Sequence, residues 1–213
     1  CPGGPRMSVD VAAFLDGSGR WPAENVDLRV ATSAGVKRLR RLGESRYEME
    51  MGIPTFRSGD VPFTGCAADE RAVDVALDVS GRDWTVTVSS IGNPHCSIFI
   101  EDPDAMDWRS VGAVIETHPA FPNRVNVEFI RVTSRNDIDV RFWERGVGET
   151  QSSGTGATAA TVAAIATGRV DRRVTVRTAA GNLSVSWPDD QASVLLVGPA
   201  RAVYRGEWLL PIE

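Results

Sequence analysis

Residues 154–167 place the strongest limit on what this chain can fold into. The segment is rich in alanine, has no charged residue and is followed by Gly168, which favours the end of a helix. A surface helix has a polar face, and a helix without one is buried on all sides. The segment therefore predicts a central helix that is enclosed by β-strands.

Short runs of alternating or β-branched apolar residues predict that most of the remaining chain is β-sheet. The predicted strands cover residues 26–32, 47–51, 73–79, 84–89, 97–100, 125–132, 138–143, 174–177, 183–187, 194–197 and 202–210. A further buried helix is predicted over residues 8–15, because this mostly apolar stretch is followed by Gly17 and Gly19. Together these elements predict an α+β fold.

A short sequence pattern occurs twice. Each predicted helix is followed by a strand and then by Thr-x-Ala-Gly, at residues 32–35 and 178–181. The repeat predicts two similar halves, each a mainly antiparallel sheet or barrel wrapped around a central helix. We expect an active site in the cleft between them. The predicted division gives residues 1–60 with 200–213 to an incomplete first half and residues 61–199 to the second.

The composition excludes several classes of function. The net charge is -5 over 213 residues, whereas a general nucleic-acid binder carries a basic stripe. No apolar run is long enough to span a bilayer and no secretory leader opens the chain, so we expect a cytoplasmic protein without a membrane partner. Three cysteines and two histidines, without a Cys-x-x-Cys pair, predict neither a disulfide framework nor a metal site.

The segment before the central helix is the strongest candidate for a binding site. Residues 143–157 contain four glycines, which let a backbone approach a ligand closely. The free N–H groups in the first turn of a helix bind anions such as carboxylate. The alternative is a plain glycine-rich turn with Ser153 as the N-cap residue. A phosphate-binding P-loop is disfavoured, because no Gly-Lys-Ser/Thr follows.

Three segments resemble, in the same order, the motifs of diaminopimelate epimerases. Residues 144–150 are Glu-Arg-Gly-Val-Gly-Glu-Thr, and Gly-Thr-Gly-Ala follows at 154–157. Residues 92–95 are Gly-Asn-Pro-His, and residues 121–129 are Phe-Pro-Asn-Arg-Val-Asn-Val-Glu-Phe. The resemblance runs without interruption from about residue 26 to residue 208.

The resemblance implies a reaction that needs no cofactor and no metal. One cysteine thiolate removes the α-proton of a small amino-acid substrate, and a second cysteine delivers a proton to the opposite face, so that the configuration of the α-carbon inverts. Two helix N-termini hold the α-carboxylate and stabilise the negative charge that develops. The implied reaction converts LL- to meso-diaminopimelate in lysine biosynthesis.

The resemblance also implies roles for individual residues. Cys1 and Ser153 stand at the two catalytic positions. The implied substrate-binding residues are Asn93, Asn126, Glu144, Arg145, Gly154 and Thr155. The asparagines and the arginine would hold the distal end of the substrate, the glutamate would pair with an ammonium group, and the last two would present backbone N–H groups to the carboxylate. His95 either contacts the ligand or fixes the turn. Alternatives are a loop-capping role for Asn126 and an exposed Glu144–Arg145 ion pair.

Two departures from the family bear on catalysis. Ser153 replaces the family's second cysteine, and a serine hydroxyl supplies almost no anionic base at neutral pH without an activating partner. The chain opens with Cys-Pro-Gly-Gly-Pro-Arg-Met over residues 1–7, whereas the family has Cys-Gly-Asn-Gly-x-Arg-Cys. Cys1 aligns with the first catalytic position, although the helix that follows fits better when displaced by about three residues. Cys66 and Cys96 match no catalytic position and are expected to be buried.

The family's N-terminal segment has no counterpart in this sequence. We expect a separate chain or a further segment to supply its strands, and a homodimer is an alternative. Three functions therefore remain open: a diaminopimelate epimerase, a related isomerase or racemase of another acid with altered catalytic residues, and a non-catalytic subunit that completes a partner chain.

Overall fold

The structure, a computed structural model, describes residues 9–21, 27–32, 35–43, 45–203 and 206. The described helices are α1 (Val9–Gly17), α2 (Trp108–Glu116) and α3 (Gly154–Ala166), with two short 3-10 turns at Ser58–Asp60 and Pro103–Ala105. The described strands are β1 (Leu28–Thr32), β2 (Gly35–Gly43), β3 (Arg46–Gly52), β4 (Val75–Val79), β5 (Arg82–Ser90), β6 (Pro94–Phe99), β7 (Asn126–Ser134), β8 (Asp137–Glu144), β9 (Gly148–Thr150), β10 (Arg173–Thr178), β11 (Gly181–Ser186) and β12 (Val194–Pro199). None of these helices has the length and apolarity needed to cross a membrane.

The twelve strands form one sheet, which makes the fold α+β as predicted. Its order is β1-β2-β3-β12-β11-β10-β8-β7-β6-β5-β4, with β9 added to β8. The pairs β6–β7 and β8–β10 are parallel, and the other pairs are antiparallel. The long sheet is therefore mainly antiparallel.

The sheet encloses α3, which confirms the central helix predicted from its alanine-rich sequence. The helix contacts β5 to β8 and β10 to β12. Its residues 156–164 are all buried. Two threonines remain compatible with burial because their hydroxyls bond to backbone carbonyls four residues earlier, Thr158 to Gly154 at 2.8 Å and Thr161 to Ala157 at 2.9 Å.

The repeated Thr-x-Ala-Gly pattern marks two equivalent hairpins. Thr32 pairs with Gly35 between β1 and β2, and Thr178 pairs with Gly181 between β10 and β11. The units α1-β1-β2-β3 and α3-β10-β11-β12 therefore have the same element order, and their last strands, β3 and β12, pair antiparallel. The predicted division near residue 60 stays a prediction, since one sheet runs through both parts.

Strands β5 to β8 separate two apolar clusters. The inner cluster includes α3 together with Ile130 and Phe142 of the sheet. The outer cluster includes α2 together with Val127 and Phe129. Because neighbouring residues of a strand point to opposite faces, Asn126 and Glu128 lie on the same face as Ile130, towards α3. Polar residues of β7 thus sit beneath the central helix.

The structure differs from the sequence predictions at several places. Helix α2 and strands β2 and β9 were not predicted, and residues 202, 203 and 206, within the last predicted strand, form no strand. The other residues of that segment lie outside the described residues. Cys96 is buried as expected, but Cys66 is only half-buried, and its Sγ lies 2.7 Å from the Oγ of Ser58.

Candidate active site

Ser153 caps the N-terminus of α3. Its backbone is extended (φ -143, ψ 124), and its Oγ accepts a hydrogen bond from the backbone N–H of Gly156 at 3.2 Å. An extended residue whose side chain binds the third N–H of the helix is the usual N-cap arrangement. The preceding N–H groups, of Gly154 and Thr155, belong to the set that a helix cannot bond internally. N–H groups in this position of a helix can bind an anion.

Two glycines of the first turn allow close packing of the helix against the sheet. A Cβ at Gly156 would lie 2.7 Å from Cδ1 of Phe142, and a Cβ at Gly154 would lie 3.2 Å from Cδ2 of Leu196. Gly146 and Gly148, by contrast, have φ of +74° and +90° and turn the chain between β8 and β9. The sequence left open whether these glycines serve a ligand or a plain turn, and Gly156 is explained by the neighbouring phenylalanine ring.

Asn93 reaches the first turn of α3 from the loop between β5 and β6. Its Nδ2 donates to Oγ1 of Thr155 across 3.5 Å, and both side chains are half-buried. Two of the residues expected to bind substrate are therefore neighbours at the N-terminus of the helix.

Asn126 connects two of the predicted motifs. Its Nδ2 donates to the carbonyl oxygen of Pro94 at 2.8 Å, and its Oδ1 accepts from the backbone N–H of Arg145 at 3.0 Å. The guanidinium of Arg145 donates from Nη1 to the carbonyl of Asn123 at 2.8 Å. Asn126 thus has the loop-fixing role that the sequence left as an alternative. Its contact with a substrate stays a prediction.

Glu144 does not form the ion pair with Arg145 that the sequence left open. Its Oε1 instead accepts from Oγ1 of Thr150 at 2.8 Å, across the β8–β9 hairpin. Because Val127 pairs with Trp143, Glu144 lies one step further along β8, beside Asn126 at the start of β7. The half-buried carboxylate is therefore close to the other predicted substrate-binding residues.

A buried polar pair lies on the same face of the sheet. Nδ1 of His95 and Oε1 of Glu128 are 2.6 Å apart, and the two side chains are 0% and 1% exposed. Burial raises the pKa of the Glu128 carboxyl, and the adjacent His95 imidazole opposes that rise. The sequence left the role of His95 open and missed Glu128. A charged residue inside the apolar run 127–130 was a signal, since a buried carboxylate needs a partner.

Glu116, which the sequence also missed, supports the loop between β8 and β9 from α2. Its Oε2 accepts from Nε1 of Trp143 and its Oε1 from the backbone N–H of Gly146, each at 2.8 Å. This carboxylate is 7% exposed. It holds the loop that carries Arg145 against the helix.

The structure brings most of the predicted site residues to one place. Asn93, Ser153, Gly154 and Thr155 lie at the start of α3, and Asn126, Glu144 and Arg145 lie at the neighbouring ends of β7 and β8. Cys1 lies outside the described residues. Two shallow depressions, of about 390 and 340 Å³, are lined mainly by charged and polar side chains at other positions of β1, β2, β3, β7, β8 and β10, and include none of these residues. Within the described ranges, no three His, Cys, Asp or Glu side chains are placed to hold a metal ion.

Comparison with known proteins identifies sequence relatives over almost the whole chain. The family model described as diaminopimelate epimerase matches residues 87–203. A diaminopimelate epimerase of Nostoc punctiforme is 39% identical over 208 residues, which cover 97% of this chain and 73% of that protein. The diaminopimelate epimerase of Moorella thermoacetica is 42% identical over 192 residues, covering 88% of this chain and 68% of that protein.

Solved structures with lower sequence identity share the fold. A predicted epimerase from Pseudomonas aeruginosa matches with a TM-score of 0.63 and 18% identity, covering 95% of this chain and 73% of that one. A probable proline racemase from Agrobacterium radiobacter matches with a TM-score of 0.64 and 16% identity, covering 92% of this chain and 64% of that one. At these identities the likeness concerns the fold alone.

Proposed function

This chain belongs to the diaminopimelate epimerase family, and we propose that it converts LL- to meso-diaminopimelate by inverting an amino-acid α-carbon without a cofactor. It is an isomerase of the epimerase type. The roles of individual residues in that reaction are part of the proposal.

The N-terminus of α3 is the observation that carries the proposal. The N–H groups of Gly154 and Thr155 and the positive end of the helix dipole meet where the chain leaves the extended Ser153. An α-carboxylate bound there would place the α-carbon beside the N-cap residue. The same donors would stabilise the negative charge that develops when the α-proton leaves.

Ser153 has the position of a proton donor in this arrangement. Its oxygen accepts from the N–H of Gly156, so its own hydroxyl proton remains free to donate. A serine hydroxyl is a weak acid, however, and an unassisted serine is a poor base. We therefore propose that Cys1 removes the proton as a thiolate and that Ser153 delivers or relays one slowly.

The second amino-acid end of the substrate would meet the residues at the ends of β7 and β8. Arg145 supplies a cation for the distal carboxylate, and Glu144 supplies a carboxylate for the distal ammonium group. Asn93 and Asn126 would complete this part of the site. Binding of a diamino diacid uses charges of both signs, and both are present here.

The serine at the N-cap favours one second candidate function. A related isomerase or racemase of another acid would not need a cysteine at this position. Exchange of an allylic proton in an unsaturated acid, without exchange in diaminopimelate, would identify that reaction.

A cytoplasmic location, and association with a further chain or a second copy, also belong to the proposal. Light scattering on the purified chain measures the assembly, and cell fractionation measures the location. A non-catalytic subunit is the outcome if the chain forms a stoichiometric complex and has no activity of its own.

The test of the proposal is α-proton exchange. The purified chain is incubated with LL- or meso-diaminopimelate in deuterated water, and the α-proton signal is followed by NMR. We expect the signal to decline, and we expect Cys1→Ala and Arg145→Gln to slow the decline by at least about tenfold, a loss typical of one catalytic or charged contact. Arg169→Gln, at the other end of α3, is the matched control. No exchange by a folded chain that binds diaminopimelate would overturn the proposed reaction.

A further inference from the structure

The buried pair of His95 and Glu128 has one nitrogen without a partner. Nδ1 of His95 lies 2.6 Å from the Glu128 carboxylate, whereas its Nε2 is buried and has no hydrogen-bond partner among the described residues. The other carboxylate oxygen accepts from Oγ of Ser97 at 3.4 Å. A buried polar nitrogen without a partner is unusual in a folded protein and needs an explanation.

The residues paired with His95 on the neighbouring strands show that this nitrogen lies close to the candidate active site. Ser89 of β5 pairs with His95 of β6, and His95 pairs with Asn126 of β7. Cys96 and Ile98 of β6 belong to the outer cluster, so His95 lies on the opposite face, towards α3, whose start is contacted by Asn93 just before the strand. Oγ of Ser89 is also buried without a partner in the described part of the chain. Nε2 of His95 and Oγ of Ser89 thus belong to paired residues of adjacent strands, on the face of the sheet towards α3.

Counting protons shows which state of the pair suits its burial. A pair with an ionised Glu128 and a doubly protonated imidazole is net neutral, and so is a pair with a protonated Glu128 and a neutral imidazole whose Nδ1 accepts. In both states Nε2 carries a hydrogen. A third net-neutral state, with the proton of Glu128 on Oε2 and a bare Nε2, would need Oε2 to donate, whereas Oε2 accepts from Oγ of Ser97. An ionised Glu128 with a bare Nε2 leaves an uncompensated negative charge among groups that are at most 1% exposed.

The surroundings of Glu128 also disfavour an extra negative charge on the pair. Burial is the main reason why the pKa of the Glu128 carboxyl is raised, and the carboxylate of Glu144 on the adjacent strand adds to the rise. A further uncompensated negative charge is therefore disfavoured from β8 as well as by the apolar surroundings.

We propose that Glu128 is a positioning residue which binds Nδ1 of His95 in a net-neutral pair and so keeps a proton on Nε2, making His95 an N–H donor in the site. This differs from the arrangement in which a carboxylate bound to Nδ1 leaves Nε2 bare to act as a base. The donor would add to the N–H groups of Gly154 and Thr155 in holding an anionic group of the substrate. That last contact rests on the function proposed above, but the protonation of the pair does not.

Nitrogen-15 NMR of the full chain measures the protonation directly. The sequence has only two histidines, so His118→Gln assigns the ring signals. We expect Nε2 of His95 to be protonated near neutral pH, with a hydrogen that exchanges slowly with water. A bare Nε2 in the unmodified chain would overturn the proposal, whatever the variants do.

Two variants separate the role of Glu128 from general packing. In Glu128→Leu the ring loses its bond at Nδ1, and we expect exchange of the Nε2 hydrogen to accelerate by about tenfold or more. Ser97→Ala removes only the long contact to the other carboxylate oxygen and should leave the exchange rate unchanged. Equal acceleration in both variants would contradict a specific positioning role for Glu128.

These outcomes are independent of the proposed reaction. A protonated Nε2 in a chain that does not exchange diaminopimelate protons would refute the proposed function and leave the pair as inferred. Proton exchange by a chain with a bare Nε2 would support the proposed function and refute the inference about the pair.

Discussion

Asn126 accepts a hydrogen bond from the backbone N–H of Arg145 at 3.0 Å while its amide group donates to the carbonyl of Pro94 at 2.8 Å. One side chain therefore connects the start of β6, next to Asn93, to the turn after β8. Since both of these segments carry predicted site residues, their relative position depends on this asparagine.

Removal of this side chain should destabilise the fold. Asn126→Ala leaves one half-buried donor and one half-buried acceptor without this partner, and we expect a loss of about 1–2 kcal/mol in the free energy of unfolding. Urea unfolding measures it. Asn182→Ala, at an exposed position of β11, is the control and should change stability by less than about 0.5 kcal/mol. Similar losses in both variants would contradict a special role for Asn126.

Ser153 should show separate effects on stability and on chemistry. Ser153→Ala removes the N-cap bond to Gly156 and should cost about 1 kcal/mol of stability, measured by thermal unfolding. Ser153→Cys should accelerate α-proton exchange by at least about a hundredfold, because a thiol is a far better acid and base than a hydroxyl. Ser152→Cys places a thiol at the preceding position and should not accelerate exchange. Equal rates in both cysteine variants would exclude the N-cap as the site of proton delivery.

The two glycines of the first turn should differ in their tolerance of a methyl group. A Cβ at Gly156 would meet the buried ring of Phe142 at 2.7 Å, so Gly156→Ala should lose about 1–3 kcal/mol. A Cβ at Gly154 would meet only the end of the Leu196 side chain at 3.2 Å, and Gly154→Ala should change stability by less than about 1 kcal/mol. Chemical denaturation measures the free energy of unfolding of both variants. A larger loss for Gly154→Ala would contradict the packing described for α3.

Tyr47 should make the fold sensitive to alkaline pH. Burial and the hydrogen bond that its hydroxyl donates to Asp16 raise the pKa of Tyr47 from 10.0 to about 12. The folded state therefore holds this proton more tightly than the unfolded state. The resulting stabilisation is complete below pH 10.0 and is lost as pH rises through about 12, by roughly 2–3 kcal/mol in total. Tyr47→Phe should be less stable at neutral pH but should show a flatter alkaline decline in urea unfolding.

Much of the fold followed from local sequence patterns. The absence of a polar face predicted that α3 is enclosed, and the repeated Thr-x-Ala-Gly pattern predicted two equivalent units. Strand β2 was missed because arginines and a lysine interrupt its apolar residues. Its charges are explained only by partners elsewhere in the chain, such as Asp27 and Glu50 for Arg38 and Asp16 for Arg41.

The site was predicted as a set of residues but not as a set of contacts. The sequence placed Ser153 and Thr155 at the start of α3 but gave Asn93 only a role at the distal end of the substrate, and the structure brings its side chain to Thr155. The pairing of His95 with Glu128 depends on the parallel register of β6 and β7, which joins residues that are 33 apart in sequence. No local pattern encodes such a register. The position of Cys1 and its role as a base stay predictions.

The central claim is that the N-terminus of α3 binds diaminopimelate while its α-carbon is inverted. The most direct test incubates pure LL-diaminopimelate with the chain in deuterated water and measures, at low conversion, the deuterium in the meso product and in the remaining substrate. We expect deuterium at the inverted carbon of the product, little in the substrate, and faster formation with Ser153→Cys. Absence of the meso isomer with both the original chain and Ser153→Cys, while both are folded and bind diaminopimelate, would contradict the account.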